Sequence, residues 1–272
     1  MIFKVKRKQA CFLPAPFKPR EMADVIRLGC EHGGGYVIST DAIANARYLL
    51  SLGLGPNCEF ELDFAAMAPL AKLHCHDPSV HGDELRKAAF RARVGNLFFR
   101  RQRRSRIVEY HRNYETLFGG KNRSFVHCEQ PVGKGDSEIP LNEAIAQLDP
   151  EPGTLFLKCA LDGEEYGLLD QIIENNDFLS GLTVTFHDLS AHMREVMVFL
   201  SVMGEFMGLD NTAASNADGV SDNGVPNTVE ISMSSLHHAG PPIPIAGATR
   251  DLRRMNAAHD PALTEFEIFY VD

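Results

Sequence analysis

Short apolar runs separated by longer amphipathic stretches constrain this chain more than any other feature. RYLLSL (47–52), AKLHCH (71–76), SFVHC (124–128), TLFLKCA (154–160) and LTVTF (182–186) each have the length and apolar content of a buried strand. Glu59–Leu70, Glu164–Glu174 and Ala191–Met203 carry helical spacing between them. Strands joined through helices must run parallel, and the crossovers cover both faces of the sheet, so an α/β doubly covered sheet is expected. NTVEISM (227–233) breaks the pattern, because it follows a Gly/Asn/Asp-rich loop, DNTAASNADGVSDNGVP (210–226), instead of a helix. That predicts an antiparallel strand closing the sheet. Residues 1–40 are read as an N-terminal arm or cap, 41–235 as the sheet domain and 236–272 as a C-terminal extension whose GPPIPIAG stretch lies on the surface.

At 272 residues and 44% hydrophobic content the chain can bury one large core. A net charge of −9 argues against a general binder of nucleic acid or anionic membrane. No apolar run approaches the length of a membrane span, and the N-terminus lacks the apolar centre of a signal peptide, so a soluble, cytoplasmic protein is expected. The six cysteines (11, 30, 58, 75, 128, 159) form no CxxC pair and mostly sit in apolar runs, which reads as reduced and structural. RKAAFRARVGNLFFRRQRRSR (86–106) gathers nine basic residues as part of an insertion at about 86–122. Such a run is either the solvated face of a helix or a clamp for an acidic glycan, a phosphorylated substrate or RNA.

SLGLGPNCEFE (51–61) places a strand, a Gly-x-Gly turn and a helix in succession. Glycines there let a backbone approach a nucleotide, and the helix start offers unpaired N–H groups. Cys58 stands where a dinucleotide fingerprint would carry its third glycine, which disfavours NAD or FAD. Asp77 ends the second strand 24 residues after Gly53, where a carboxylate can accept both hydroxyls of an adenosyl ribose or simply close an Asp-Pro turn. Turn and acid together favour an adenosyl cofactor.

Further along, Asp162 and Glu165 have the spacing of an N-cap and its N3 partner, with Glu164 and Glu165 opening a helix and pointing outward. His187 and Asp188 follow the fifth strand at the rim of the sheet, where a histidine can serve as a general base or as a hydrogen-bonded rim residue. His74, His76, Asp77 and His81 suggest a metal set, but strand histidines in a covered sheet usually face packing, and no metal is assigned.

Taken in order, these stretches resemble the FkbM-type family of S-adenosylmethionine-dependent methyltransferases. GGGYVIS (33–39) looks like that family's DGGYV motif, SLGLGPNCEFE like its first cofactor motif, and HDPS (76–79) like its acidic loop. LKCALDGEEYGLL (157–169) is similar to its K-x-D-I-E-G-x-E segment, TVTFHDL (183–189) to its E-x-H strand, and GVPNTVEISM (224–233) to its closing P-x-x-L-E strand. The resemblance spans roughly residues 27–233. It implies a Rossmann-like class I methyltransferase fold: a seven-stranded, mostly parallel sheet with an antiparallel last strand and helices on both faces. It also implies S-adenosylmethionine as cofactor, held by Gly34, Tyr36, Gly53, Leu54, Gly55, Asn57, Asp77 and Pro78. The acceptor would be a sugar or other small-metabolite hydroxyl, with His187 and Asp162 as catalytic candidates; nucleic acid is not expected as a partner.

The departures are as specific as the matches. Gly33 replaces the first Asp of DGGY, Ala160 the first acid of D-I-E-G, and Thr185 the Glu of E-x-H, while FMGLDN (206–211) lacks the histidines of H-x-H-x-N-N. Their joint loss supports the alternative of a catalytically degenerate, methyltransferase-like binding or scaffold protein. A nucleotide-sugar or NAD-binding Rossmann protein is the third reading.

Overall fold

The computed structural model describes residues 8–20, 24–30, 35–98, 102–120, 124–237, 255–256 and 259–272, with backbone alone at 95–98 and 102–105. In chain order its strands are β1 (Gln9–Pro14), β2 (Val25–Gly29), β3 (Gly35–Ser39), β4 (Tyr48–Leu52), β5 (Lys72–His76), β6 (Phe125–Cys128), β7 (Leu155–Cys159), β8 (Leu179–Phe186), β9 (Met207–Ala214), β10 (Val229–Ser235) and β11 (Phe266–Val271). The helices are α1 (Thr40–Asn45), α2 (Glu59–Met67), α3 (Gly82–Phe98), α4 (Gln102–Phe118), α5 (Leu141–Leu148), α6 (Leu169–Glu174) and α7 (Leu189–Met203).

Seven strands form the central sheet in the order β6-β5-β4-β7-β8-β10-β9. The pairs among β6, β5, β4, β7 and β8 are parallel, and β10 runs antiparallel to both β8 and β9. This is the Rossmann-like class I methyltransferase fold, with one antiparallel strand closing an otherwise parallel sheet. The five predicted strands are all present, within three residues of their expected ends. β7 and β8 are buried along their whole length and β4 nearly so, and each reads as a short run rich in apolar and β-branched residues; β5 and β6, nearer the edge, are less covered.

Two smaller sheets flank the large one. β2 and β3 pair antiparallel, while β1 and β11 bring the two ends of the chain side by side in parallel. The basic run lies on α3, α4 and the join between them; Arg86, Lys87, Arg91 and Arg93 are exposed along α3, whose buried side holds Ala89 and Ala92. No described helix is long and apolar enough to cross a membrane. All six cysteines carry free thiols, and burial pushes the Cys58 thiol up to about 12, which suits a packing role.

The stretch read as loop from residue 210 needs correction, because Asp210–Ala214 belongs to β9. Its polar side chains find distant partners that make an extended, buried path tolerable. Arg20 Nε donates to Asp210 Oδ1 at 2.7 Å, and Thr212 Oγ1 donates to the Phe17 carbonyl at 2.7 Å. Burial raises Asp210 to about 6 even against the Arg20 guanidinium. The loop proper therefore begins after Ala214.

The faces of the sheet differ in chemistry. On one face Leu50, Leu157, Val184 and Ile231 join a core with Ile145, Ile172 and Phe199 of α5, α6 and α7. The other face carries a polar row in register: Ser51 opposite Lys158, Lys158 opposite Thr183, Thr183 opposite Ser232, and Ser232 opposite Asn211. All five are buried. Each is hydrogen-bonded, for example Ser232 Oγ to the Val37 carbonyl at 2.6 Å and Thr183 Oγ1 to the Ile231 carbonyl at 2.8 Å. The row lies beneath β3 and α2, and its Ser51 and Lys158 sit one residue before the carboxyl ends of β4 and β7, where open α/β sheets hold their ligands.

Candidate functional site

A cleft of about 570 Å³ opens at those carboxyl ends, within the range of small-molecule sites. Tyr36, Gly53, Leu54, Gly55, Asn57, Asp77 and Pro78 all line it, together with Lys158, Ala160 and Asp162. Gly34, the remaining predicted cofactor residue, lies outside the described residues, as does Gly33. His187 stands beside the cleft and reaches it through Asp162.

The glycine turn is shaped by left-handed backbone at Gly53 (φ 81) and Gly55 (φ 64). At Gly53 the backbone of Ala160 packs where a side chain would begin; at Gly55 no atom stands within 4 Å of that position. Asn57, just before the N-cap residue Cys58 of α2, accepts from the Glu59 N–H through Oδ1 at 3.3 Å. Asp77 fastens the turn to the end of β5. Its Oδ2 accepts from the Gly55 N–H at 2.7 Å, and its Oδ1 accepts from the Ser79 N–H at 2.7 Å and hydroxyl at 2.6 Å. Burial alone would raise its pKa, but these bonds outweigh it and hold the carboxyl below its ordinary range. The turn role leaves Asp77 room for one ribose hydroxyl, not both, since Oδ1 already accepts two bonds and Oδ2 one.

Beneath the turn lies a buried ion pair between residues 97 positions apart in the chain, which local spacing does not reveal. Lys158 Nζ donates to Glu61 Oε1 at 2.9 Å and to the Gly53 carbonyl at 2.8 Å, while Ser51 Oγ donates to the same Glu61 oxygen at 2.6 Å. The ammonium also sits 5.8 Å from the Tyr36 ring centroid and 5.7 Å from that of Phe60. Burial would lower the Lys158 pKa, but Glu61 more than reverses this, so the lysine remains charged. The signal was a lysine in the middle of an apolar strand, which in a doubly covered sheet requires a partner.

The acidic step after β7 differs from its prediction. The helix expected over Glu164–Glu174 is a 3-10 turn, Glu164–Leu168, followed by α6, and Gly163 (φ 110) occupies the N-cap position. Asp162 makes no cap bond and its side chain is 99% exposed, whereas that of Glu165, expected outside, is 0% exposed. Glu165 accepts from the Gly163 N–H at 2.8 Å and the His187 N–H at 2.7 Å, and its Oε1 lies 3.1 Å from His187 Nδ1. His187 Nε2 lies 3.6 Å from Asp162 Oδ1, and Tyr166 donates its hydroxyl to the His187 carbonyl. The two catalytic candidates are thus brought together, with Glu165 as the buried group that orients His187.

The Glu165 bond is the main cause raising the His187 pKa above 6.5, against the opposing effect of burial. For Glu165 burial acts upward from 4.5, yet the bonds from His187 and Gly163 leave the pKa lowered. A raised histidine contributes stability fully below about 6.5 and loses it as pH rises through its folded value; a depressed carboxylate contributes above about 4.5 and loses it as pH falls. The unfolding free-energy difference between the native chain and His187→Gln should therefore be largest between about pH 4.5 and 6.5 and shrink at higher pH. Urea titrations across pH measure this, and a difference that grows with pH would contradict an imidazolium held by Glu165.

Ala160 and Thr185 leave the ends of β7 and β8 without acids, as the sequence indicates. Thr185 Oγ1 instead meets the Tyr36 hydroxyl at 3.1 Å, and burial pushes Tyr36 up to about 12. Directly opposite Thr185 in register stands Glu230 of β10, so the neighbouring strand puts a carboxylate on that rung. His76 Nδ1 lies 3.0 Å from the Gln130 carbonyl, and among the described residues no group of three His, Cys, Asp or Glu is placed to hold a metal ion.

No protein-family model and no curated protein matches the chain. Among solved structures it is similar to a precorrin-6y C5,15-methyltransferase from Geobacter metallireducens, at 13% identity and TM-score 0.37, over 72% of this chain and 86% of that one. It is also similar to a fibrillarin pre-rRNA processing protein from Methanococcus jannaschii, at 8% identity and TM-score 0.36, over 81% of this chain and 84% of that one. A putative precorrin-6Y C5,15-methyltransferase domain from Corynebacterium diphtheriae overlaps at 13% identity and TM-score 0.33, covering 72% and 92%. Such overlaps are loose, and the fold assignment rests on the strand order and directions: the chain has a class I methyltransferase fold.

Proposed function

We propose that the protein is an S-adenosylmethionine-dependent methyltransferase acting on an oxygen of a sugar or other small-metabolite hydroxyl. The observation that carries this reading is the glycine turn locked to Asp77 at the mouth of the cleft. Asp77 Oδ2 retains accepting capacity for a ribose hydroxyl, and Gly55 leaves open space where a side chain would intrude. Tyr36 and Leu54 supply apolar wall, and Lys158 steadies the turn through the Gly53 carbonyl. When bound, the cofactor supplies an electrophilic methyl group. The protein's part is then to place a hydroxyl in line with it, since positioning provides much of the rate. His187, bracketed by Asp162 and Glu165, would orient the acceptor at the rim.

Calorimetric titration of the full chain with S-adenosylmethionine and S-adenosylhomocysteine tests the reading. Binding of both is expected, with Asp77→Ala weakening each by at least about tenfold through loss of charge-assisted hydrogen bonding. Absence of binding by either ligand at millimolar concentration overturns it. Binding without turnover on a broad panel of hydroxyl acceptors would favour the degenerate binding protein instead.

A further inference from the structure

His259 belongs to none of the motifs read from the sequence. It lies in the segment after the seven-stranded sheet, yet returns to the sheet's carboxyl edge. Its Nε2 stands 3.4 Å from Glu230 Oε2, with the side chains only 10% and 8% exposed. Glu230 is paired in register with Thr185, whose hydroxyl meets that of Tyr36, a wall of the cleft. The segment carrying His259 is anchored independently: Asn216 Nδ2 donates to the Asp260 carbonyl at 2.9 Å, and Asn256 Nδ2 donates to Asn211 Oδ1 at 2.8 Å.

The two histidines at this edge differ in what they can do. His187 is held at Nδ1 by the buried Glu165, and its Nε2 stands 3.6 Å from the exposed Asp162, so two carboxylates favour its imidazolium. His259 has one nitrogen held by a buried carboxylate and Nδ1 without a partner among the described residues. A histidine oriented through one nitrogen and open at the other is the arrangement a general base requires. The two sites are close, since strand spacing and rise put His187 and Glu230 on the order of 8 Å apart along the edge. Asp218 acts electrostatically on both histidines.

Resting on the methyltransferase reading above, we propose that His259, oriented by Glu230, is the general base for the acceptor hydroxyl. Its Nδ1 takes the hydroxyl proton as the acceptor oxygen bonds to the methyl carbon and the carbon–sulfur electron pair returns to sulfur. The protein lowers the barrier by giving that proton a placed acceptor. The groups facing His259 are Glu230, Arg27 and Asp218: the carboxylates favour the imidazolium, Arg27 opposes it, and burial opposes it most strongly.

Histidine-labelled full-length protein allows a test that needs no known acceptor. Imidazole resonances are titrated in the complexes with S-adenosylhomocysteine and with sinefungin, whose amine takes the place of the sulfonium methyl; His259→Gln assigns the signal. If His259 faces the transferred methyl, the sinefungin ammonium lowers its pKa relative to the S-adenosylhomocysteine complex by roughly half a unit or more. Glu230→Gln should lower it in both complexes. Identical His259 titrations in the two complexes would overturn the proposal while leaving cofactor binding intact, as would a shift confined to His187. Failure of either ligand to bind removes the methyltransferase reading itself, and the assignment with it. His259→Gln that still binds S-adenosylhomocysteine normally shows that its folding and cofactor site are preserved.

Discussion

Replacing Lys158 with methionine is expected to destabilise the protein by roughly 3–5 kcal/mol, the range for leaving one member of a buried ion pair uncompensated. The Lys158 and Glu61 side chains are 6% and 0% exposed, so Glu61 cannot turn to water when the ammonium is gone. It would keep the Ser51 hydroxyl on Oε1, while Oε2 already lacks a partner. The Gly53 carbonyl would lose its donor as well. Lys158→Met combined with Glu61→Gln should recover much of the loss, because the remaining group is neutral and of similar shape. Urea unfolding of the two single variants and the double variant measures the coupling. A cost below about 1 kcal/mol for Lys158→Met would mean that the pair does not carry its charge out of water.

The second large effect comes from the glycine turn, where two similar residues should respond differently. Gly53→Ala forces a side chain onto positive φ and drives it into the Ala160 carbonyl, which is backbone and cannot swing aside. Strain and overpacking together predict a loss of about 2–5 kcal/mol. Gly55→Ala has the same left-handed strain but open space around it, so only about 1 kcal/mol is expected. Since Gly55 lines the cleft, its added methyl group occupies ligand space. Thermal unfolding and calorimetry separate the two: Gly53→Ala should lose stability first, and Gly55→Ala should lose affinity for S-adenosylhomocysteine while remaining folded. If Gly55→Ala binds with unchanged affinity, the turn is not the cofactor contact proposed.

The acids missing at Ala160 and Thr185 take on a different meaning beside Glu230. In sequence they read as gaps in the chemistry of β7 and β8. In the sheet, Glu230 stands opposite Thr185, and Glu165 reaches back to His187 from the turn after β7. The carboxyl edge therefore holds two buried carboxylates, each paired with a histidine. Local spacing alone makes Glu165 a solvent-facing helix residue and Glu230 no more than part of a strand motif.

What could be read along the chain was whatever depends on near neighbours. Strands such as LTVTF announced themselves through short runs of apolar and β-branched residues, and the Gly-x-Gly turn and Asp77 because tight turns need particular residues. The sequence by itself thus determined the α/β alternation, the closing antiparallel strand and seven residues, expected as cofactor contacts, that line one cleft. Tertiary structure alone decided the rest. Asp210–Ala214 became a strand because Arg20 and Phe17, far away in sequence, satisfy its polar groups. Glu165 turned inward because His187 and Gly163 offer it donors, and Lys158 is stable in the core because Glu61 lies beneath it. A polar side chain costs energy to bury only until it finds its partner, and register and long-range packing, not local spacing, supply that partner.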